Sequence, residues 1–185
     1  GTTEASLSEI DIARINSRLN PPPISAPTTA PSAVAASTGV GEEIIVNGGF
    51  EELGPNGIPV GWEPSWNTHR VTWTGDRDGR WIRLERQGAA KQRIELKQGW
   101  TALDISCRMR GEGIERGDET WAWPKVTIVL YSVPGGPPSY GVAPMMEGDM
   151  PWKHASRRCR IPEGSRFATV VVCHQGIAGV ADFDE

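Results

Sequence analysis

The stretch Asp104-Ile105-Ser106-Cys107-Arg108-Met109-Arg110 sets the reading of this chain. Apolar and polar residues alternate through it without a break, the period-2 pattern of a strand with one face in a core and one in water. Ile105, Cys107 and Met109 form the inward set, and Asp104, Ser106, Arg108 and Arg110 the outward one. The pattern recurs on both sides. Upstream, Val71 and Trp73 alternate with Arg70, Thr72 and Thr74, Ile82 and Leu84 with Trp81, Arg83 and Glu85, and Ile94 and Leu96 with Arg93 and Glu95. Downstream, Val126, Ile128 and Leu130 alternate with Lys125, Thr127, Val129 and Tyr131, and Cys159 and Ile161 with Arg158 and Arg160. Phe167 to Cys173 is apolar on both faces and reads as a central strand, and Ile44–Val46 is a further strand candidate.

Turn signals separate these runs. They are Gly54-Pro55-Asn56-Gly57, Gly75 to Gly79, Arg110 to Asp118, Pro134 to Pro138 and Pro162 to Ser165. Gly (22) and Pro (15) make up one fifth of the 185 residues, as many short strands require. Asp76-Arg77-Asp78-Gly79 resembles the start of a calcium loop but lacks the later ligands, and is read as a hairpin turn. With no helical period between the strands, the fold class is all-β: a two-sheet antiparallel β-sandwich of jelly-roll type over residues 42–185.

The first 41 residues are different. Ser6 and Glu9 fit a capping box, and Ile12, Ile15 and Leu19 fall on one helical face, so residues 1–20 read as a short N-terminal helical segment. Pro21 to Pro23 stop it. Residues 21–41 are an uncharged Pro/Ala/Ser/Thr-rich linker or arm. So short a helix is marginal alone and needs a docking surface, either its own domain or a neighbouring subunit reached through residues 1–41.

Composition removes several classes. A net charge of −4 argues against a nucleic-acid partner. The apolar stretches, such as Val126 to Tyr131, are far too short for membrane insertion as a helix. Cys107, Cys159 and Cys173 form no CxxC pair, permit one disulfide at most, and read as buried thiols. The chain starts at Gly1 rather than Met, so it reads as either processed or cut from a longer chain, with any signal peptide already gone. No nucleophile-elbow, zincin or phosphate-loop motif is present and His69, His154 and His174 lie far apart, so the chain reads as a non-enzyme.

Two ends of the 42–185 region carry a family resemblance. One is Asn47-Gly48-Gly49-Phe50-Glu51 followed by Gly57-Ile58-Pro59-Val60-Gly61-Trp62. The other is Trp152, then Ile161-Pro162-Glu163-Gly164, then Ala181-Asp182-Phe183-Asp184-Glu185. In order and spacing they resemble the galactose-binding-like sandwich of carbohydrate-binding module families four, nine and twenty-two. That resemblance implies a non-catalytic module that binds a glycan or polysaccharide, set in a larger secreted or cell-surface protein. The alternative is a structural or assembly sandwich that works through the N-terminal segment. The resemblance also implies a structural calcium, with Glu51 and Asp184 as its carboxylate ligands.

Eight Trp against three Phe and two Tyr fit this implication, because an indole face stacks on the C–H face of a pyranose. Trp62, Trp73 and Trp152 read as core, and Trp100 is ambiguous. Trp81 shares parity with Arg83, and Trp121 and Trp123 share parity with Lys125 and Tyr131, so all three are expected to face outward. Trp66, in a loop, ranks next. The outward Arg83, Arg108, Arg110, Arg158 and Arg160 are candidates to grip hydroxyls or uronate carboxylates, Arg83 and Arg108 first, with ion pairing to nearby carboxylates as the other reading. The expected sugar-binding set is therefore Trp81, Trp121, Trp123, Trp66, Arg83 and Arg108.

Overall fold

The strands run in chain order as β1 (Glu63–Pro64), β2 (Val71–Asp76), β3 (Gly79–Glu85), β4 (Ala89–Glu95), β5 (Ala102–Glu115), β6 (Pro124–Tyr131), β7 (Ser139–Met145), β8 (Gly148–Arg160), β9 (Phe167–His174) and β10 (Ala178–Asp184). The computed structural model describes residues 43–115, 117–119, 122–131, 137–145 and 147–185. The helix and arm read at 1–41, and Trp121, lie outside the described residues. Among the described residues all strand pairs are antiparallel and form two five-stranded sheets. The first is ordered β1-β4-β9-β6-β7 and the second β2-β3-β10-β5-β8. This is the two-sheet sandwich that the alternation predicts. Among the described residues, no helix is long and apolar enough to cross a membrane.

The core lies between the inner faces. β3 contributes Ile82 and Leu84, β5 Leu103 to Met109 on alternate positions, and β10 Phe183. Val126, Ile128 and Leu130 of β6 and Ala168, Val170 and Val172 of β9 oppose them. Phe50 closes one end against Trp62 (5.0 Å between ring centroids) and Trp73 (5.7 Å).

The opening loop explains its sequence motif. Asn47 takes a left-handed backbone (φ 55°), which Asn tolerates better than most residues. Its side chain donates to the Glu52 carbonyl (2.8 Å) and accepts from the Glu52 N–H (3.0 Å). Gly61 (φ 84°) sits where a Cβ would press on Gln92 and Val46 at 3.0–3.1 Å. Ile44–Val46 is not a strand: the buried Gln92 amide binds both the N–H (2.7 Å) and the carbonyl (2.8 Å) of Val46, replacing a ladder partner.

His174 at the end of β9 is fully buried and has a fixed tautomer. Its Nδ1 accepts from the Gly176 N–H (3.1 Å), so Nε2 carries the proton and donates to the Gly179 carbonyl (3.1 Å). Burial holds the imidazole below its ordinary 6.5. The unfolded chain therefore takes up this proton first as the pH falls. Stability from neutral His174 is fully present above about pH 6.5 and declines as pH drops through that value toward the folded pKa. Urea unfolding from pH 8 to 5 should show this decline, and His174→Gln should flatten it. An unchanged slope in the variant would assign the decline to other groups.

Candidate functional site

The first sheet turns an unusual face away from the core. Its register sets side chains in rows across the strands: Ala89–Cys173–Lys125, Lys91–Val171–Thr127, Arg93–Thr169–Val129–Tyr140 and Glu95–Phe167–Tyr131. Outer sheet faces are normally half exposed. Here Ala89, Val129, Val171 and Cys173 are buried as a second apolar cluster, with Tyr131 and Tyr140 against it. Lys125 and Thr127 are buried beside them, and the Thr127 hydroxyl has no hydrogen-bond partner. Aromatic rings gather at the far end of the floor. Tyr131 and Phe167 lie 6.3 Å apart, and the Arg93 guanidinium sits 4.6 Å over the Phe167 ring. The floor from Lys125 to Tyr131 is about 20 Å long at roughly 3.3 Å per residue. Burial pushes the phenols of Tyr131 and Tyr140 up, keeping them neutral donors.

The second sheet's outer face is a charged ladder. Asp182, 3% exposed, accepts from Arg83 Nε (2.9 Å) and Nη2 (3.0 Å), and from Arg110 Nε (2.9 Å) and Nη2 (2.5 Å). The Arg110 guanidinium lies over Trp81 (5.4 Å) and Trp152 (4.8 Å), and Arg108 over Trp152 (5.2 Å). The two indoles meet edge to face at 6.1 Å. Arg83, Arg110 and Asp182 form one wall of a cavity of about 390 Å³. β5 is bent beside it: its pairing slips between Met109 and Gly111 and again between Gly111 and Ile114, and Gly113 is left-handed (φ 58°). A side chain at Gly179 would collide with the Gly113 carbonyl, so this bulge requires glycine there.

Glu51 and Asp184 come together at the domain's edge. A point one Cβ beyond Gly49 is 3.9 Å from both Asp184 Oδ1 and Glu51 Cγ. Glu51 Oε1 also accepts the Arg80 N–H (2.9 Å), and Asp184 Oδ2 pairs with Arg108 (3.3 Å). The Asp184 carboxyl is pushed up by burial first and by the charges of Glu185 and Glu51 as well, while the Glu185 N–H and Arg108 oppose this. Two carboxylates are part of the six to eight oxygens calcium takes. Among the described residues, no cluster of three or more His, Cys, Asp or Glu side chains is arranged for a metal.

No protein-family model and no curated protein sequence matches the chain. Solved structures do. A family 4 carbohydrate-binding module aligns at 17% identity and a TM-score of 0.50, over 76% of this chain and 95% of that one. The chain shares its β-sandwich fold with that module. An arabinose-bound family 51 α-L-arabinofuranosidase aligns at 12% identity and a TM-score of 0.50, over 76% of this chain but only 25% of its own length. A family 61 carbohydrate-binding module in complex with β-1,4-galactotriose aligns at 16% identity and a TM-score of 0.46, over 77% of this chain and 95% of that one.

On this two-sheet sandwich the expected sugar residues separate. Trp81, Arg83 and Arg108 meet on the second sheet, joined by Trp152 and Arg110. Trp152, expected in the core, stands on this outer face because β8 begins at Gly148, upstream of the run recognised from sequence. The ring faces of Trp81 and Trp152 carry guanidinium groups. Trp123 does not face outward: it is 8% exposed and precedes β6, a strand buried on both faces, so parity with Lys125 marks no solvent side. Trp66, 38% exposed, follows Ser65, whose N–H binds the Ala89 carbonyl at the near end of the first sheet's floor. The aromatic end of that floor, Tyr131, Tyr140 and Phe167, was not singled out by sequence.

Proposed function

We propose that the domain is a non-catalytic carbohydrate-binding module of an exported protein, and that the outer face of its first sheet takes the glycan. One observation carries this reading: an apolar outer sheet face with the aromatic rings of Tyr131, Tyr140 and Phe167 grouped at one end. Apolar floor, ring faces and a few oriented polar groups are what a pyranose chain requires, since its C–H faces stack and its hydroxyls pair. Phenol donors, the Arg93 and Lys91 cations and the Thr127 and Thr169 hydroxyls supply the polar part. The floor is suited to holding a ligand rather than reacting with it. Its thiol, Cys173, is pushed up to about 11 by burial, so it stays protonated and unreactive at neutral pH. Retention of the domain on polysaccharide gels, with and without the rings of Tyr131 and Phe167, tests the reading.

The same reading includes a structural calcium held by Glu51 and Asp184, joining the opening loop to β10. Its support is the convergence of both carboxylates on Gly49. Saturating calcium should raise the melting temperature by several degrees over a chelator, consistent with mass action on the folded state. Asp184→Asn should remove that increment. Identical melting curves with calcium and with chelator would rule the ion out.

A further inference from the structure

The geometry points to a second sugar pocket, on the opposite face of the sandwich, sized for one neutral pyranose residue. It stands independently of the floor on the first sheet. The cavity of about 390 Å³ lies toward the small end of the ligand-pocket range of roughly 300–1,000 Å³.

Charge excludes the other ligand classes. Arg83 and Arg110 line the pocket together with Asp182, Glu112 and Asp149, two positive groups against three negative. A carboxylate or sulfate would meet three carboxylates, and a cation would meet two guanidiniums. A neutral polyol meets neither penalty, and it uses donors and acceptors placed side by side. The donors are preorganised. Asp182 takes two N–H groups from each guanidinium, and each keeps three of its five for a ligand. Trp81 and Trp152 pack against the Arg110 guanidinium at 5.4 and 4.8 Å. Asp149 is fixed as an acceptor: one of its oxygens takes the Gly113 N–H (2.6 Å) and the other is left for the pocket. Met150, Pro151 and Val180 give the apolar patch that the C–H face of a pyranose needs. A small pocket with alternating charged donors and acceptors and one greasy side recognises a single sugar ring, such as a chain end or a side branch. With the first sheet's floor on the opposite side, the domain would then hold two glycan segments at once.

The test is a methyl-labelled NMR titration of the whole chain with methyl β-galactopyranoside, methyl β-xylopyranoside, methyl β-glucopyranoside and galacturonate. At least one neutral glycoside should shift the Met150 and Val180 methyls saturably, with a dissociation constant of roughly 1 mM. Glu112→Gln with Asp149→Asn should weaken that binding at least tenfold; the new Asn keeps an oxygen for the Gly113 N–H, so the bulge survives. Phe167→Ala should leave the titration unchanged, which separates this pocket from the polysaccharide floor. No saturable shift with any neutral glycoside, tighter binding of galacturonate, or a double variant that binds like the parent would each overturn the pocket.

Discussion

Asp182→Ala is expected to cost about 2–3 kcal/mol of stability, the largest loss for any single charged residue on this surface. The carboxylate is nearly sealed from water and is shared by two guanidiniums. Deleting it leaves Arg83 and Arg110 facing each other with nothing between them. Breaking a buried pair from one side typically costs about 3–5 kcal/mol. The two arginine side chains are 40% and 34% exposed, so water re-solvates part of each and the loss falls below the top of that range. For a domain of this size the melting temperature should drop by roughly 8 °C. Asp182→Asn should do little better, because the new amide turns donors toward donors. Asp104→Ala is the control. Asp104 makes an equally good bidentate pair with Arg158 (2.8 and 2.7 Å), but in open solvent, and its loss should be too small to resolve. Equal melting points for Asp182→Ala and Asp104→Ala would show that burial adds nothing to the ladder.

The contrast between these two pairs also shows what sequence could reach. β3 and β5 were legible because each has one dry face and one wet face, and alternation records that difference directly. The first sheet breaks the rule. β6 and β9 are buried on both sides, so Thr127, Val129, Val171 and Cys173 of the floor read as ordinary core. The richest aromatic signal also led away from that floor. Trp62 fills the core and donates its N–H to the Asn47 carbonyl (3.1 Å), Trp73 packs on Phe50, and Trp81 and Trp152 support guanidiniums. The three rings at the end of the floor come from the chain's scarce Tyr and Phe. Their grouping depends on register between β6, β7 and β9, which are distant in sequence. Gln92 is a similar case: nothing in its neighbours marks it as the partner of Val46, 46 positions earlier.

On the proposed reading, removing both rings, with Tyr131→Ala and Phe167→Ala together, is expected to abolish retention on polysaccharide. Central aromatic anchors in binding sites commonly contribute about 2 kcal/mol each. Because truncation effects on adjacent rings overlap, the pair should cost at least a hundredfold in affinity, about 2.8 kcal/mol. Galactan, xylan and arabinan gels read this directly, and Tyr131→Phe, which keeps the ring, should retain most of the binding. Thr127→Val gives the sharper test. Its hydroxyl is buried without a partner, so swapping it for a methyl of the same shape should leave stability unchanged or raise it. If that hydroxyl waits for a sugar, the same change must weaken binding several-fold. Stability and affinity then move in opposite directions, which a purely structural threonine would not produce. Because burial keeps the Tyr131 and Tyr140 phenols neutral, they should add no pH dependence to affinity from pH 5 to pH 9. Full retention by a folded Tyr131→Ala/Phe167→Ala domain would exclude the first sheet as the glycan surface, and the charged ladder with its pocket would stand as the remaining candidate.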